Sequence, residues 1–265
     1  MIADVISAVR EVAHSEVMPR FREVGHRRKA DGSIVTEADL AAQSALAGRL
    51  ARIAPVPMVG EEMTKAERRA ALASTDGSFW CVDPVDGTSN FANGVPFFAI
   101  SVALFASGRP ALGVVYNPAT GELFHATRGG GARLGDERLP LRPGAARLGD
   151  AIAGADFKRL PPPLAAALAA RPPYHSQRNF GASALEWCYV AAGRLDLYVH
   201  GGQQLWDYAA GSLVLEEAGG SFATFDAESL WIGPPGARAV IAALDRDAFR
   251  AWTAWVRAHL DARPA

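Results

Sequence analysis

Two aspartates, Asp83 and Asp86, stand three residues apart in the stretch Trp80-Cys81-Val82-Asp83-Pro84-Val85-Asp86-Gly87-Thr88-Ser89-Asn90-Phe91. An apolar run, Phe79 to Val82, delivers them, and Gly87 and Thr88 then read as the opening of a helix. Pro84 fixes φ and offers no N–H, so the segment between the carboxylates is not expected to continue as a central strand. A bend there can aim Asp83, the Val85 carbonyl and Asp86 at one point, the oxygen-rich arrangement that hard cations such as Mg²⁺ require. The neighbouring Gly87 and Thr88 amides favour an anion, because the first N–H groups of a helix have no partner within it. Cation ligands and a phosphate cradle would thus sit side by side. An Asp-Pro-x-Asp-Gly surface turn is the bland alternative, since all of these are ordinary turn residues.

Two further acidic places bear on that choice. Gly60-Glu61-Glu62 follows the apolar run Val56 to Val59, and Trp206-Asp207-Tyr208-Ala209-Ala210-Gly211 puts an acid at the start of a helical pattern. Taken singly, the Glu pair reads as a solvated face and Asp207 as a helix cap. Together, Glu-Glu, then Asp-Pro-Val-Asp-Gly-Thr, then Trp-Asp-x-x-x-Gly form an ordered set that resembles the inositol monophosphatase family, within the lithium-sensitive, magnesium-dependent phosphatases. The resemblance takes in Asp31-Gly32-Ser33-Ile34-Val35-Thr36-Glu37-Ala38-Asp39 upstream and Glu216-Glu217-Ala218-Gly219-Gly220 downstream, and so spans nearly the whole chain.

What the resemblance implies is specific. The expected activity is Mg²⁺-dependent hydrolysis of a small phosphate monoester, such as an inositol-like phosphate, histidinol phosphate, a sugar bisphosphate or a phosphoadenosine nucleotide. Two Mg²⁺ ions are implied, the first on Glu61, Asp83 and the Val85 carbonyl, the second on Asp83, Asp86 and Asp207. A weaker third ion would bind through Glu61 and water, with Glu62 in its outer shell. Asp39, Glu62 and Thr88 are the catalytic candidates, with Thr88 hydrogen-bonded to Asp39 to orient the attacking water. Asp86, Gly87, Thr88, Gly181, Ser183 and His200 are expected to face substrate. Lithium sensitivity, a homodimer and a cytoplasmic setting are also implied. A second reading is a binding protein, since some members of the family are thought to act through partners in the transcription machinery.

One position departs from the family. Inositol-phosphate-hydrolysing members commonly carry a glutamate seven residues before the Trp-Asp aspartate, where this chain has His200, followed by Gly201-Gly202. An imidazole cannot reproduce the acceptor-only face of a carboxylate. The glycine pair is expected to let a ligand approach the backbone closely.

Other chemistries lack their residues. There is no Gly-x-Ser-x-Gly elbow and no His-Glu-x-x-His pair, so neither a serine hydrolase nor a zinc hydrolase is supported. Cys81 and Cys188, the 2 cysteines, lie in apolar surroundings and read as buried thiols rather than a disulfide or zinc site. His125 and His175 are given no role. With 49% hydrophobic and 21% charged residues, and a formal net charge of -1, the chain reads as globular, with no global electrostatic reason to bind nucleic acid or an anionic membrane. Arg27-Arg28-Lys29 is the densest basic cluster and reads as a solvated loop. The N-terminus lacks the basic-then-apolar order of a secretion signal. Val95 to Ala106, within an uncharged run, falls short of the ~20 residues of a spanning helix and reads as buried strand.

The elements that must position these residues follow from periodicity. Ile2, Val5, Ile6, Val9, Val12 and Ala13 recur at helical spacing, in a helix expected to end near Pro19. Thr36 is the expected N-cap of a second helix buried through Leu46, Leu50 and Ile53, with Asp39 in its first turn. A charged helix over Ala66 to Ala73 precedes the site strand. Phe97 to Ala106, Pro110 to Tyr116 and Glu122 to Ala126 read as strands joined by tight turns, with another hairpin around Gly129 to Asp136, which predicts antiparallel sheet. After Pro140 to Asp150 the pattern alternates: strand Ala151 to Ala155, helices after Pro163 and over Ala182 to Ala192, strand Leu195 to His200, helix from Trp206 to a stop at Gly219, strand Ala239 to Leu244 and a last helix from Asp245. The expectation is an α/β (α+β) fold in two halves. Residues 1–145 would carry most metal ligands, and residues 146–265 would carry Asp207 and the substrate-facing positions. The resemblance implies a five-layer αβαβα sandwich.

Overall fold

The computed structural model describes residues 1–22, 26–28 and 34–260, so Asp31-Gly32-Ser33 and Lys29 lie outside the described residues. The apolar stripe of the N-terminus forms α1 (Ile2–Val12), prolonged by a π-helical turn over Ala13–Val17 and a 3-10 turn over Met18–Arg20. A two-stranded ribbon, β1 (His26–Arg28) antiparallel to β2 (Ile34–Thr36), leads into α2 (Glu37–Ile53). Thr36 caps α2 by accepting from the Ala38 amide, and Asp39 answers as the acceptor for the Thr36 amide, a reciprocal cap that fixes where the helix starts.

Seven strands follow in sheet order: β3 (Met58–Gly60), β4 (Phe79–Asp86), β5 (Ala99–Ala106), β6 (Arg109–Asn117), β7 (Glu122–Thr127), β8 (Gly131–Leu134) and β9 (Glu137–Arg138). From β4 onward each pair is antiparallel, as the tight turns require. The β3–β4 pair is parallel, a departure from the expected antiparallel half, with α3 (Lys65–Ala73) as the crossover that parallel pairing needs. A second sheet has the order β11-β10-β12-β14-β13, built from β10 (Ile152–Ala155), β11 (Ser176–Arg178), β12 (Leu197–Gln203), β13 (Ser221–Thr224) and β14 (Arg238–Ala243). β11 and β13 were not foreseen.

Side-chain alternation along β4 and β5 explains the layers. Trp80, Val82, Ile100 and Val102 face one way and pack with Val5, Val9, Leu46 and Leu50 of α1 and α2. Phe79, Cys81, Ala103 and Phe105 face the other way, onto α6 (Ser183–Ala191) and α7 (Leu205–Glu217), which are buried between the two sheets. The outer face of the second sheet is covered by α5 (Pro162–Ala170) and α8 (Arg246–Ala258) through Leu164, Leu168, Trp252 and Val256. The result is the five-layer αβαβα order. Among the described residues no helix is long and apolar enough to cross a membrane.

Candidate active site

β4 runs through Pro84 to Asp86, but past Val82 it is no longer a central strand, as Pro84 requires. The reason is local. β3 pairs β4 only as far as Val82, so beyond that point β4 is an edge on that side and the N–H that Pro84 lacks has no partner to serve. The expected bend survives as a bulge, because Asp83 opposes Ser101 while Asp86 opposes Ala99. The Val85 amide donates to Asp83 Oδ1 at 3.1 Å, which folds the extra residue into place.

After the bulge, Gly87 (φ +85°) turns the chain into the short helix α4 (Thr88–Ala92). Only glycine suits this corner: a Cβ would lie 2.9 Å from the Ala182 Cβ and 3.1 Å from the Phe97 carbonyl, on top of the left-handed φ. The same contact brings residues 181–184 to the site. The amides of Ser183 and Ala184 donate to the two oxygens of Asp86, at 3.2 and 2.7 Å. α6 has no side-chain cap of its own, so the distant Asp86 carboxylate serves its first amides and complements its dipole. Thr88 Oγ1 lies 3.0 Å from the Val85 carbonyl and 3.3 Å from Asp39 Oδ1. Asp39 Oδ2 accepts from the Thr36 amide and hydroxyl at 2.7 and 2.6 Å.

Glu61 and Glu62 occupy the turn after β3. The Glu61 amide donates to the Val82 carbonyl at 3.1 Å and the Glu62 amide to Gln43 Oε1 of α2 at 2.9 Å. Asp207 sits in the first turn of α7, where Oδ2 accepts from the Gln204 amide at 2.8 Å.

Charge couples these pieces. Burial pushes the Asp83 carboxyl well above its usual range, and the charges of Glu61, Asp86, Asp207 and Asp39 push it further. Burial also raises Asp86, followed by Asp207, and the Ala184 amide only partly relieves it. Asp39 is pushed up from 3.8 to about 7, chiefly by burial, with the Thr36 bonds opposing and Glu61 and Glu62 adding. Like charges raise one another more strongly the nearer they lie. The donors are all oxygen, and the Cys81 thiol is pushed up by burial and by Asp83, so the set suits a hard cation and not a soft one. Among the described residues no three of these side chains are drawn in to ion-binding distance as they stand. Asp83 and Asp207 each spend one oxygen on a backbone amide, and Asp86 spends both.

The other expected substrate-facing positions divide. Gly181 and Ser183 stand beside Gly87 and Asp86, as just described. His200 is buried, so it is not a solvent-facing strand end. Its Nδ1 accepts from the Gly202 amide at 3.1 Å, and Nε2 lies 4.0 Å from Asp156 Oδ2. The glycine pair does not leave room for a ligand at both positions. The space a Gly201 Cβ would fill is taken by the Arg159 carbonyl, while Gly202 has open space beside it.

Several contributors escaped the sequence reading. Asn90 Nδ2 donates to the carbonyls of Phe97 and Phe180, both at 2.7 Å, which pins the 180–184 segment to α4. Glu186 is buried behind Asp86, accepting from the Phe180 amide and the Tyr198 hydroxyl, and burial chiefly raises it to about 7. Its signal was available: Glu186 is the lone acid in the apolar helix Ser183-Ala184-Leu185-Glu186-Trp187-Cys188. The partners of Asn90 carry no sequence signal, because they are main-chain carbonyls.

The model of the inositol monophosphatase family matches residues 2–260. An inositol-1-monophosphatase of Mesorhizobium japonicum is 36% identical over 203 residues, covering 75% of this chain and 74% of the relative. A Nus factor SuhB of Pasteurella multocida is likewise 36% identical over 203 residues, with coverages of 75% and 74%. Among solved structures, an IMPase/NADP phosphatase complexed with Mg²⁺ and phosphate has a TM-score of 0.82 at 24% identity, covering 100% of this chain and 95% of the other, a likeness of fold. With the family model spanning the acidic set from Asp39 to Asp207, this chain belongs to the inositol monophosphatase family.

Proposed function

We propose that this phosphatase-family enzyme hydrolyses a small phosphate monoester with Mg²⁺ held by Glu61, Asp83, the Val85 carbonyl, Asp86 and Asp207. The observation that carries the proposal is the buried Asp83, on which the charges of Glu61, Asp86, Asp207 and Asp39 all act. When bound, the ions neutralise that charge, polarise the phosphoryl group and acidify a water. Two ions sharing Asp83, with a weaker third near Glu61 and Glu62, belong to the proposal, as do lithium sensitivity, a homodimer, a cytoplasmic setting and the division of labour between residues 1–145 and 146–265.

The chain's own residues do the rest. The Gly87 and Thr88 amides, at the start of α4, hold the phosphate. Thr88 orients the attacking water with its hydroxyl oxygen, and Asp39, 3.3 Å from that oxygen, takes up the proton. Gly181, Ser183 and His200 form the wall against the leaving alcohol. Burial holds His200 down to about 4, so it is neutral, and the Gly202 amide on Nδ1 leaves the proton on Nε2. The wall thus offers a donor where inositol-hydrolysing relatives offer an acceptor, which disfavours a polyol leaving group.

Phosphate release with Mg²⁺, measured across inositol phosphates, histidinol phosphate, sugar bisphosphates and phosphoadenosine nucleotides, tests the reading. Release by the wild type and its near-abolition in a folded Asp83→Asn variant is the expected result. Absence of release from the whole panel would sink it, and would favour the binding role suggested by the Nus factor name of one relative.

A further inference from the structure

The charges of Glu61 and Asp207 both act on Asp83, one from the turn after β3 and one from the first turn of α7. Like charges gathered at one point push their carriers apart. The separation of these two segments must therefore be set by groups other than the carboxylates. The amide ties of Glu61 to Val82 and of Glu62 to Gln43 reach back toward β4 and α2.

Arg68 of α3 reaches the other side. Its Nη1 donates to the carbonyls of Glu61 at 2.9 Å and Met63 at 2.5 Å. Its guanidinium carbon lies 4.9 Å from the ring centroid of Trp206, the residue before Asp207. Trp206 is itself anchored: it is buried, and its carbonyl accepts from the Ser101 hydroxyl at 3.3 Å, on the residue that opposes Asp83 across the sheet. One side chain therefore joins the Glu61 turn to the Asp207 helix start, and the second of these is already fixed to the strand beside Asp83.

The geometry points to Arg68 as a positioning residue that clamps the Glu61–Met63 turn to Trp206 and so sets the spacing of the Glu61 and Asp207 carboxylates, and with it the cation affinity of the site. The inference rests on the proposed function for the identity of the cation. Lysine would not replace Arg68 fully, since its ammonium can meet the carbonyls but has no plane to lay on the indole. Arg68 also lines, with Lys65, Gln204 and Trp206, a cavity of about 290 Å³. Truncation of Arg68 would leave a space next to it that free guanidinium can enter.

The test compares wild type, Arg68→Lys and Arg68→Ala by two measurements besides activity. One is Mg²⁺ binding by calorimetry, and the other is amide exchange at residues 61–63 in EDTA-treated protein. Arg68→Ala should weaken Mg²⁺ binding about tenfold, the low end of what outer-shell partners of metal ligands contribute. It should speed exchange at residues 61–63, with Arg68→Lys falling between and millimolar guanidinium restoring Arg68→Ala but leaving wild type unchanged. Unchanged exchange in both variants overturns the clamp whatever the metal result. Faster exchange spread over the whole chain also overturns it, by making Arg68 a general stability residue. If Arg68→Ala does not fold, Arg68→Lys carries both measurements. Wild type that binds no Mg²⁺ refutes the proposed function instead, and the exchange at residues 61–63 still decides the clamp.

Discussion

Asp39→Asn should make the metal-free protein more stable at pH 8 while removing its activity. Asp39 is fully buried, and its carboxyl is raised from 3.8 to about 7. The folded state thus holds the proton more tightly than the unfolded chain does. The associated stabilisation is complete below about pH 4 and is lost as pH rises through about 7. A tenfold change in a protonation equilibrium is about 1.4 kcal/mol, and the interval from 3.8 to about 7 spans roughly three of them, so the ionised form costs about 4 kcal/mol at pH 8. Asparagine avoids that cost with little rearrangement. Its oxygen can accept both Thr36 bonds while its NH₂ donates to Thr88 Oγ1, whose own proton then goes to the Val85 carbonyl. The lost charge at the α2 N-terminus returns up to about 1 kcal/mol. Urea unfolding in EDTA should therefore show a gain of about 3 kcal/mol at pH 8 and a difference within about 1 kcal/mol near pH 4. Phosphate release should fall by about 10² or more, the contribution of a general base. A stability difference that does not change with pH would refute the reasoning.

Three other outcomes are expected. LiCl should inhibit phosphate release more than KCl at matched ionic strength, and equal effects of the two salts would remove the lithium expectation. The wild type should be inefficient on inositol 1-phosphate, with kcat/KM recovered slightly by His200→Glu and further by His200→Glu with Asp156→Asn, because Asp156 Oδ2 lies only 4.0 Å from His200 Nε2 and would repel a new carboxylate; efficient turnover by the wild type would contradict this. Gly87→Ala should lower stability by about 1–2 kcal/mol or more and remove most activity, since the φ of +85° and the Ala182 contact at 2.9 Å both oppose a side chain; a melting curve like wild type would refute it.

What could be read in the sequence was what is encoded locally. The Thr36–Asp39 cap is an interaction over three residues, so its residue types announce it. The apolar alternation of β4 and β5 likewise carries its own period. That Pro84 cannot sit in a central strand was legible, but that β4 continues past it as an edge was not, because this depends on where β3 ends, at Gly60, which nothing around Pro84 records. β11 was missed because Ser176-Gln177-Arg178 has no apolar residue to show a period. The acidic set was legible as an ordered series, but its cross-connections were not. The cap that Asp86 supplies to α6 comes from 97 and 98 positions away, and the stacking of Arg68 on Trp206 likewise joins separate parts of the chain.

The burial of α7 between the two sheets has a consequence for synthesis. The inner face of the seven-stranded sheet, with Phe79, Phe105 and Phe124, is covered by helices α6 and α7 that come after the sheet in the chain. About 80 residues separate the end of β9 at Arg138 from the end of α7 at Glu217. At about 5–20 residues per second, a ribosome needs roughly 4–16 s to make them. During that interval the emerging sheet holds three phenylalanines on an uncovered face and lacks Asp207, so the nascent chain has neither its central layer nor its complete carboxylate set. This is the window in which a chaperone would have most to bind.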